Sequence, residues 1–221
     1  MTVLRHTFEE QLTELQQDIL RMSSVVEDMI RLSMHSLAHR DVDEARRAQE
    51  MDDIVDELNL KIENNCLHLL ALQQPMARDL RVIAAALKII TDVERMGDYT
   101  VDIAKMSIRL VNAPASRPSY AKLQRMSEVV IRMLRETLQA FVSHDLDLIQ
   151  SMIAGDDEVD RLNRGVHAEV LEQIQQNPSS AELGIGVILM SRFLERIADH
   201  CTNVGERVYY MQTGELRELH T

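Results

Sequence analysis

The sequence predicts an all-α protein made of two tandem three-helix bundles that are related by internal duplication. Three observations predict this class. Glycine and proline are scarce, with seven and four residues among 221, too few to supply the turns of a protein with many strands. Long segments carry apolar residues at spacings of three and four, which is the period of an amphipathic helix. The third observation is a repeat, in which residues 22–59 align without a gap with residues 126–163 and share 14 of 38 positions.

The repeat includes most of the chain. Its first part ends in the shared pattern Asp-Asp-x-Val-Asp-x-Leu-Asn, at residues 52–59 and 156–163. Further along, the offset falls from 104 to 101 residues, and Val-Glu-Arg-Met-Gly-Asp at 93–98 aligns with Leu-Glu-Arg-Ile-Ala-Asp at 194–199. Solenoid units usually repeat every ~20–50 residues, so this longer period indicates a duplicated domain.

Apolar spacing and chain breakers place the helices of the first half. The first helix is predicted from about Leu4 to Ala38, followed by a break at residues 39–41. The second helix ends near Gln74, because the residue before a proline disfavours α geometry. The third helix ends at about Val111. The predicted core positions of the three helices are Leu12, Leu15, Ile19, Met22, Val26, Met29 and Ser33, then Met51, Val55, Leu58, Ile62 and Leu69, then Val82, Ala86, Ile89, Val93 and Met96.

A single stretch resembles a linker. It is Ala-Pro-Ala-Ser-Arg-Pro at residues 113–118, and it predicts domains at 1–114 and 115–221. Three further helices are predicted to mirror the first three, with the last breaker at 177–179.

Composition and charge disfavour several classes of protein. A net charge of −12 disfavours nucleic acid as a partner. The two cysteines, Cys66 and Cys201, cannot form a disulfide framework and are predicted to be reduced. The first ten residues include charged side chains where a signal peptide requires an apolar segment, and the longest uncharged apolar stretches are far below the ~20 residues of a membrane span. We expect a cytoplasmic protein that does not itself span the membrane.

Acidic residues form rows on two predicted helices of each half. Residues four apart on a helix lie 40° apart around its axis and ~6 Å apart along it. The rows are predicted to lie at the margin of the core. In the first half they contain Asp52 and Asp56 on the second helix and Glu94, Asp98 and Asp102 on the third. In the second half they contain Asp156 and Asp160, then Glu195, Asp199 and Asn203.

These rows predict one metal site in each half. Like charges four apart cost a few tenths of a kcal/mol per pair, and no Lys or Arg lies within the rows. In a helical bundle, carboxylates on facing helices can converge on metal ions. Oxygen ligands suit hard cations, so the candidate ions are divalent or trivalent ions of iron, manganese, magnesium, calcium or zinc.

Two alternatives remain open. The first is a metal-free structural helical adaptor whose acidic rows are solvated. The second is a carboxylate-bridged metalloenzyme, but a di-iron centre of the ferritin type needs Glu-x-x-His pairs, and none of the eight histidines has Glu three residues before it. The sequence also lacks a Gly-rich phosphate loop, a Gly-x-Ser-x-Gly elbow and a Cys-x-x-Cys pair. We therefore predict a protein that is not an enzyme and has no catalytic residues.

The repeated motifs resemble those of a known family. Glu-Arg-Met-Gly-Asp at 94–98 and Glu-Arg-Ile-Ala-Asp-His-Cys-Thr-Asn at 195–203 are similar to the doubled Glu-Arg-Ile-Gly-Asp signature of the PhoU family. Gln-Pro-Met-Ala-Arg-Asp-Leu-Arg at 74–81 resembles the family's turn between its second and third helices. The resemblance extends over nearly the whole chain.

The resemblance implies a PhoU-like fold and a regulatory function. It implies a phosphate-responsive accessory protein of the phosphate-specific ABC transport system, which acts as a negative regulator of the phosphate-starvation response. It further implies an adaptor between the transporter's ATPase subunit and a membrane sensor histidine kinase, and a homodimer. In some family members, E(D)xxxD motifs hold multinuclear metal sites, and Glu94, Asp98, Glu195 and Asp199 match that motif.

The second half departs from the first within the motif. Asn203 stands where the first half has Asp102, and Ala198 stands at the position of Gly97. Because an amide is a neutral oxygen ligand, we expect the C-terminal site to carry less charge and to bind metal more weakly.

Overall fold

The computed structural model describes residues 2–73, 75, 77–111 and 120–219, and these residues contain seven α-helices, one short 3-10 helix and no strand. The first half contributes α1 (Thr2–His39), α2 (Val42–Glu50), α3 (Asp52–Gln73) and α4 (Ala77–Val111). The second half contributes α5 (Tyr120–Ser143), α6 (Asp147–Gln176), the 3-10 helix Pro178–Ser180 and α7 (Ala181–Thr213). The predicted all-α fold class is confirmed, and the predicted first helix and the end of the third agree with α1 and α4.

The two halves repeat the same turn after their first helix. Arg40 and His144 are 104 residues apart, and both have left-handed backbone geometry, with φ of 61° and 64°. The aspartate that follows each of them, Asp41 or Asp145, accepts a hydrogen bond from the backbone N–H two residues further on, at 3.0 and 2.9 Å. The shared aspartates of the repeat therefore set the direction of the next helix in both halves.

The halves differ in the helix that follows this turn. The first half breaks it at Met51 into α2 and α3, whereas α6 continues through the equivalent residue, Gly155. A Cβ atom at Gly155 would lie 2.7 Å from Cγ of Met133 on α5, so glycine allows α6 to pass close to α5. The second predicted helix of the first half is therefore interrupted by one turn residue, Met51.

The predicted core is largely confirmed. Val55, Leu58, Ile62 and Leu69 of α3 are buried, while Met51 and Leu12 are only partly buried. The predicted positions of α1 from Leu15 to Ser33 and of α4 from Val82 to Met96 are also buried. Both cysteines are buried and unpaired, and desolvation raises the pKa of the Cys66 thiol to about 12. These thiols are therefore packing residues with little thiolate character.

The two halves pack on each other through α4 against α7 and α1 against α5. On the first surface, a Cβ at Gly186 of α7 would lie 2.8 Å from Cδ2 of Leu110 on α4, so the helices approach closely there. On the second, Nε of Arg135 on α5 donates to Glu27 of α1 at 2.7 Å. Packing between the halves thus fixes the position of one acidic row relative to its duplicate.

The proposed domain boundary after residue 114 lies in 112–119, outside the described residues, and it stays a prediction. Within the described ranges, none of the helices combines the length and apolar character that a membrane crossing requires.

Candidate metal-binding site

The first half brings four of the predicted ligands into one cluster. Asp52 opens α3 and faces α4, where a Cβ on Gly97 would lie only 3.2 Å from its Oδ1 atom. The pKa of Asp52 is raised to about 6, mainly by burial and then by repulsion from Asp56, Asp98 and Glu94. The two rows predicted on separate helices therefore act on each other electrostatically.

The second half has a similar arrangement on α6 and α7. The side chain of Glu195 is 13% exposed, and burial raises its pKa, with repulsion from Asp199 and then Asp160 adding to the effect. Its Oε2 atom is buried and accepts no hydrogen bond from the described residues. Asp156 lies close enough to contribute to the raised pKa of Cys201, after burial, which is the main cause.

Basic residues outside the rows pair with several of these carboxylates. Arg95 donates to Asp98 at 2.9 Å, and Arg196 donates to Asp199 at 3.0 Å, each from a position three residues before the acid. Asp160 likewise pairs with Arg164, and Glu195 with Arg192. Several carboxylates of the rows therefore have counter-charges, although the basic residues that supply them lie outside the rows.

Two predicted ligands make their contacts with residues outside these clusters. Asp102 is about half exposed and pairs with Lys105 at 3.1 Å. The amide nitrogen of Asn203 donates to Asp92 at 3.2 Å, so this side chain contacts the other half of the protein. The assignment of either residue as a metal ligand stays a prediction.

Two residues that were not predicted form a contact between the two halves, close to the acidic rows in sequence. Nδ1 of His200 on α7 lies 2.8 Å from Oδ1 of Asp92 on α4, and because a carboxylate only accepts, Nδ1 carries the proton. The His200 ring also packs against Tyr99, with ring centroids 5.7 Å apart. The repeat could not reveal Asp92, since its counterpart is Phe193. His200 lies inside the repeated motif, which was the available signal.

The chemistry of the clusters fits a hard cation. The coordinating atoms of both clusters are carboxylate oxygens, the ligands that hard cations prefer. The buried Oε2 atom of Glu195 accepts no hydrogen bond within the described ranges and lies 4.0 Å from Nε of Arg196. Further along α6, Asn163 Oδ1 and His167 Nε2 are also buried without partners among the described residues. However, no three or more His, Cys, Asp or Glu side chains in the described ranges are already placed to hold a metal ion. Binding would therefore require the carboxylates to leave their present rotamers.

We expect Asp52→Asn to stabilise the metal-free protein at neutral pH. The folded state keeps the Asp52 proton up to about pH 6, whereas the unfolded chain loses it near 3.8, so the native chain loses stability as the pH rises through that window. Asparagine carries no charge, so the stability of the Asp52→Asn chain does not decrease for this reason as the pH rises. Each pKa unit corresponds to about 1.4 kcal/mol, and solvent screening at this partly exposed position reduces the expected gain to about 1 kcal/mol.

The measurement is urea unfolding in chelator at about pH 7.5 and about pH 3.5. Native and Asp52→Asn chains should differ at the higher pH and coincide at the lower one. Glu57→Gln, a change at an exposed acid further along α3, serves as the control. An equal or lower stability of Asp52→Asn at the higher pH would show that the carboxylates do not repel one another as described.

The fold and the candidate site together define a class of protein: a tandem pair of duplicated helical bundles, each with carboxylates clustered between two of its long helices. A family model described as the PhoU domain matches the chain twice, at residues 19–107 and 123–208. The chain belongs to the PhoU family.

The chain is similar to individual relatives over almost their whole length. The chain is 36% identical to the phosphate-specific transport system accessory protein PhoU homolog of Clostridium acetobutylicum, over 97% of this chain and 98% of the relative. Identity with the homolog of the same description from Deinococcus radiodurans is 33%, over 96% and 99%. The crystal structure of PhoU from Pseudomonas aeruginosa superposes with a TM-score of 0.89 at 30% identity, covering 94% of this chain and 100% of that one. The phosphate transport system regulatory protein PhoU from Streptococcus pneumoniae gives a TM-score of 0.87 at 28% identity, covering 95% and 99%.

Proposed function

We propose that this chain is the accessory protein of a phosphate-specific ABC transport system and a negative regulator of the phosphate-starvation response. The observation that carries the proposal is the match over nearly the full length of relatives named for that system, including both copies of the domain.

In this proposal the protein acts in the cytoplasm as an adaptor and not as a catalyst. Its partners are the transporter's ATPase subunit and a membrane sensor histidine kinase, and it forms a homodimer. The outer face of α3 supports such contacts, since Leu60 and Leu67, two turns apart, are 59% and 52% exposed. Exposed apolar side chains at helical spacing are suited to binding another protein.

Metal ions have a structural role in the proposal. Asp52, Asp56, Glu94 and Asp98 would hold a cation between α3 and α4, and a matching set would hold one between α6 and α7. The matching set is Asp156, Asp160, Glu195 and Asp199. Bound there, a cation supplies the positive charge that removes repulsion among these carboxylates and fixes the two helices relative to each other.

A metal-free adaptor is the second candidate. The observation that favours it is the set of ion pairs that Arg95 and Arg196 already make with the acidic rows. The two candidates share the adaptor function and differ in whether a cation or these side chains balance the charge.

The regulatory function is tested by deleting the gene in its host. Alkaline phosphatase is expected to be derepressed in high phosphate, and a plasmid copy of the chain should restore repression. Leu60→Glu/Leu67→Glu should fail to restore it and should lose capture of the ATPase subunit, while Leu216→Glu, on an exposed position outside the helices, should behave as the native chain. Normal repression in the deletion strain would contradict the proposal.

A further inference from the structure

A cavity of about 700 Å³ lies between the end of α1 and the start of α5, away from the acidic rows. Its wall includes Met34 and Ala38 of α1 and Tyr120, Gln124 and Ile131 of α5. Two imidazoles, His35 and His39, also line it, together with the carboxylate of Glu44 from α2. The cavity is therefore mostly apolar but contains a small group of nitrogen and oxygen donors.

The two imidazoles lie side by side. His35 and His39 are four residues apart, which places them on one face of the last turns of α1. Their ring centroids are 3.7 Å apart, and the ring planes differ by 23°. Because an imidazole lone pair lies in the plane of its ring, one ring must rotate about its side-chain bonds before both can bind the same ion.

Hydrogen bonds fix the same tautomer on both rings. Nδ1 of His35 is bonded to the carboxylate of Glu44, and Nδ1 of His39 lies 3.1 Å from the backbone oxygen of His35. Both partners can only accept, so both Nδ1 atoms carry a proton, and in the neutral rings both Nε2 atoms present a lone pair. Among the described residues, neither Nε2 atom takes part in a hydrogen bond.

This pattern is the one that metal-binding imidazoles require. A ligating histidine usually donates its other ring N–H to a carboxylate or a backbone carbonyl, and here one ring has each kind of partner. Two histidines four apart on one helix face can share a metal ion through ring nitrogens. Imidazole nitrogen suits zinc, copper and nickel better than the hard cations expected at the acidic rows.

We propose that His35 and His39 form a bidentate binding site for a divalent ion of the zinc, nickel and copper group, in which Glu44 orients His35. Because both rings line the cavity, water or a small anionic ligand there would fill the remaining coordination positions. The site belongs to the first half alone, since Gln139 and Ser143 stand at the equivalent positions of the second half. It uses nitrogen ligands and shares no residue with the acidic rows.

The test is a titration of the untagged full chain with Ni²⁺, followed by calorimetry, in the presence of excess Mg²⁺ to occupy sites that prefer hard cations. We expect one Ni²⁺ per chain at this site. His35→Gln/His39→Gln should abolish that binding, and Glu44→Gln should weaken it about tenfold, as loss of an orienting partner does at other metal sites. His68→Gln, a change at an exposed histidine of α3, should leave it unchanged.

A spectroscopic readout separates this site from binding elsewhere. The electron paramagnetic resonance spectrum of the Cu²⁺-loaded chain should show coupling to imidazole nitrogen, and the double variant should lose it while keeping the native circular dichroism spectrum. Unchanged Ni²⁺ binding in the folded double variant, or an equal loss in His68→Gln, would overturn the proposal.

Discussion

The Glu94→Ala/Asp98→Ala variant is expected to lose the metal of the first half and the thermal stability that the metal provides. These carboxylates are the α4 members of the cluster that raises the pKa of Asp52. A ligand that binds only the folded state stabilises it by about 2.7 kcal/mol when present at a hundred times its dissociation constant. For a chain of this size, that corresponds to a rise of about 5–10 °C in melting temperature.

The same substitution in metal-free protein should have the opposite effect. Removing two charges relieves repulsion on Asp52, so in chelator the variant is expected to melt at or slightly above the temperature of the native chain. The sign of the difference therefore depends on whether metal is present. A metal-free adaptor predicts the chelator result under both conditions.

Melting curves with and without chelator, together with elemental analysis of protein purified without chelator, provide the measurement. Glu50→Ala/Glu57→Ala removes two exposed acids outside the rows and serves as the matched control. Glu195→Ala/Asp199→Ala should remove a second ion with a smaller loss of stability, because Asn203 replaces an acid there. If both double variants retain the metal content of the native chain, the metal assignment is wrong.

Asp92→Ala is expected to destabilise the protein by about 2 kcal/mol, because it leaves two side chains of the other half without their acceptor. Asp92 and His200 are 17% and 19% exposed, so water replaces the lost hydrogen bonds only in part. Asn203 loses its acceptor in the same substitution. The substitution should therefore weaken the packing of α4 against α7, which joins the two halves.

Urea unfolding followed by circular dichroism measures this effect. Asp92→Asn keeps an oxygen acceptor at the same position and should lose less stability than Asp92→Ala. His200→Ala should be destabilised as well, and the double variant Asp92→Ala/His200→Ala should lose less than the sum of the single losses, since both act on one interaction. Additive losses would show that the Asp92–His200 contact does not contribute to stability.

Much of the fold could be predicted because a buried helix requires apolar residues at regular spacing along the sequence. The spacing of Leu15, Ile19 and Met22 identified a buried helix face, and Pro75 marked the end of another helix. The break at Met51 was missed because Met51 continues the apolar spacing of Val55 and Leu58. At the equivalent Gly155 the continuous helix fits closely against Met133 of a different helix, and spacing along one helix contains no information about that neighbour.

The candidate site was predictable to the same extent. Repetition of Glu94 and Asp98 as Glu195 and Asp199 identified the acidic rows, but the sequence could not show which basic side chains pair with them. Arg95 reaches Asp98 because residues three apart share a helix face, and this depends on rotamers as well as spacing. The histidine pair at the end of α1 was not recognised, since its evidence lies in Glu44 of the next helix.

The sequence by itself determined the helical class, the duplication and the two sets of acidic residues, because helical period and repetition are properties of the linear chain. The tertiary structure decided that Asp52 meets the α4 carboxylates, that Asp92 joins the halves through His200, and that His35 and His39 share one tautomer. Each of these depends on the crossing and rotation of packed helices or on the turn that brings a distant side chain near. Packing over the whole core sets those positions.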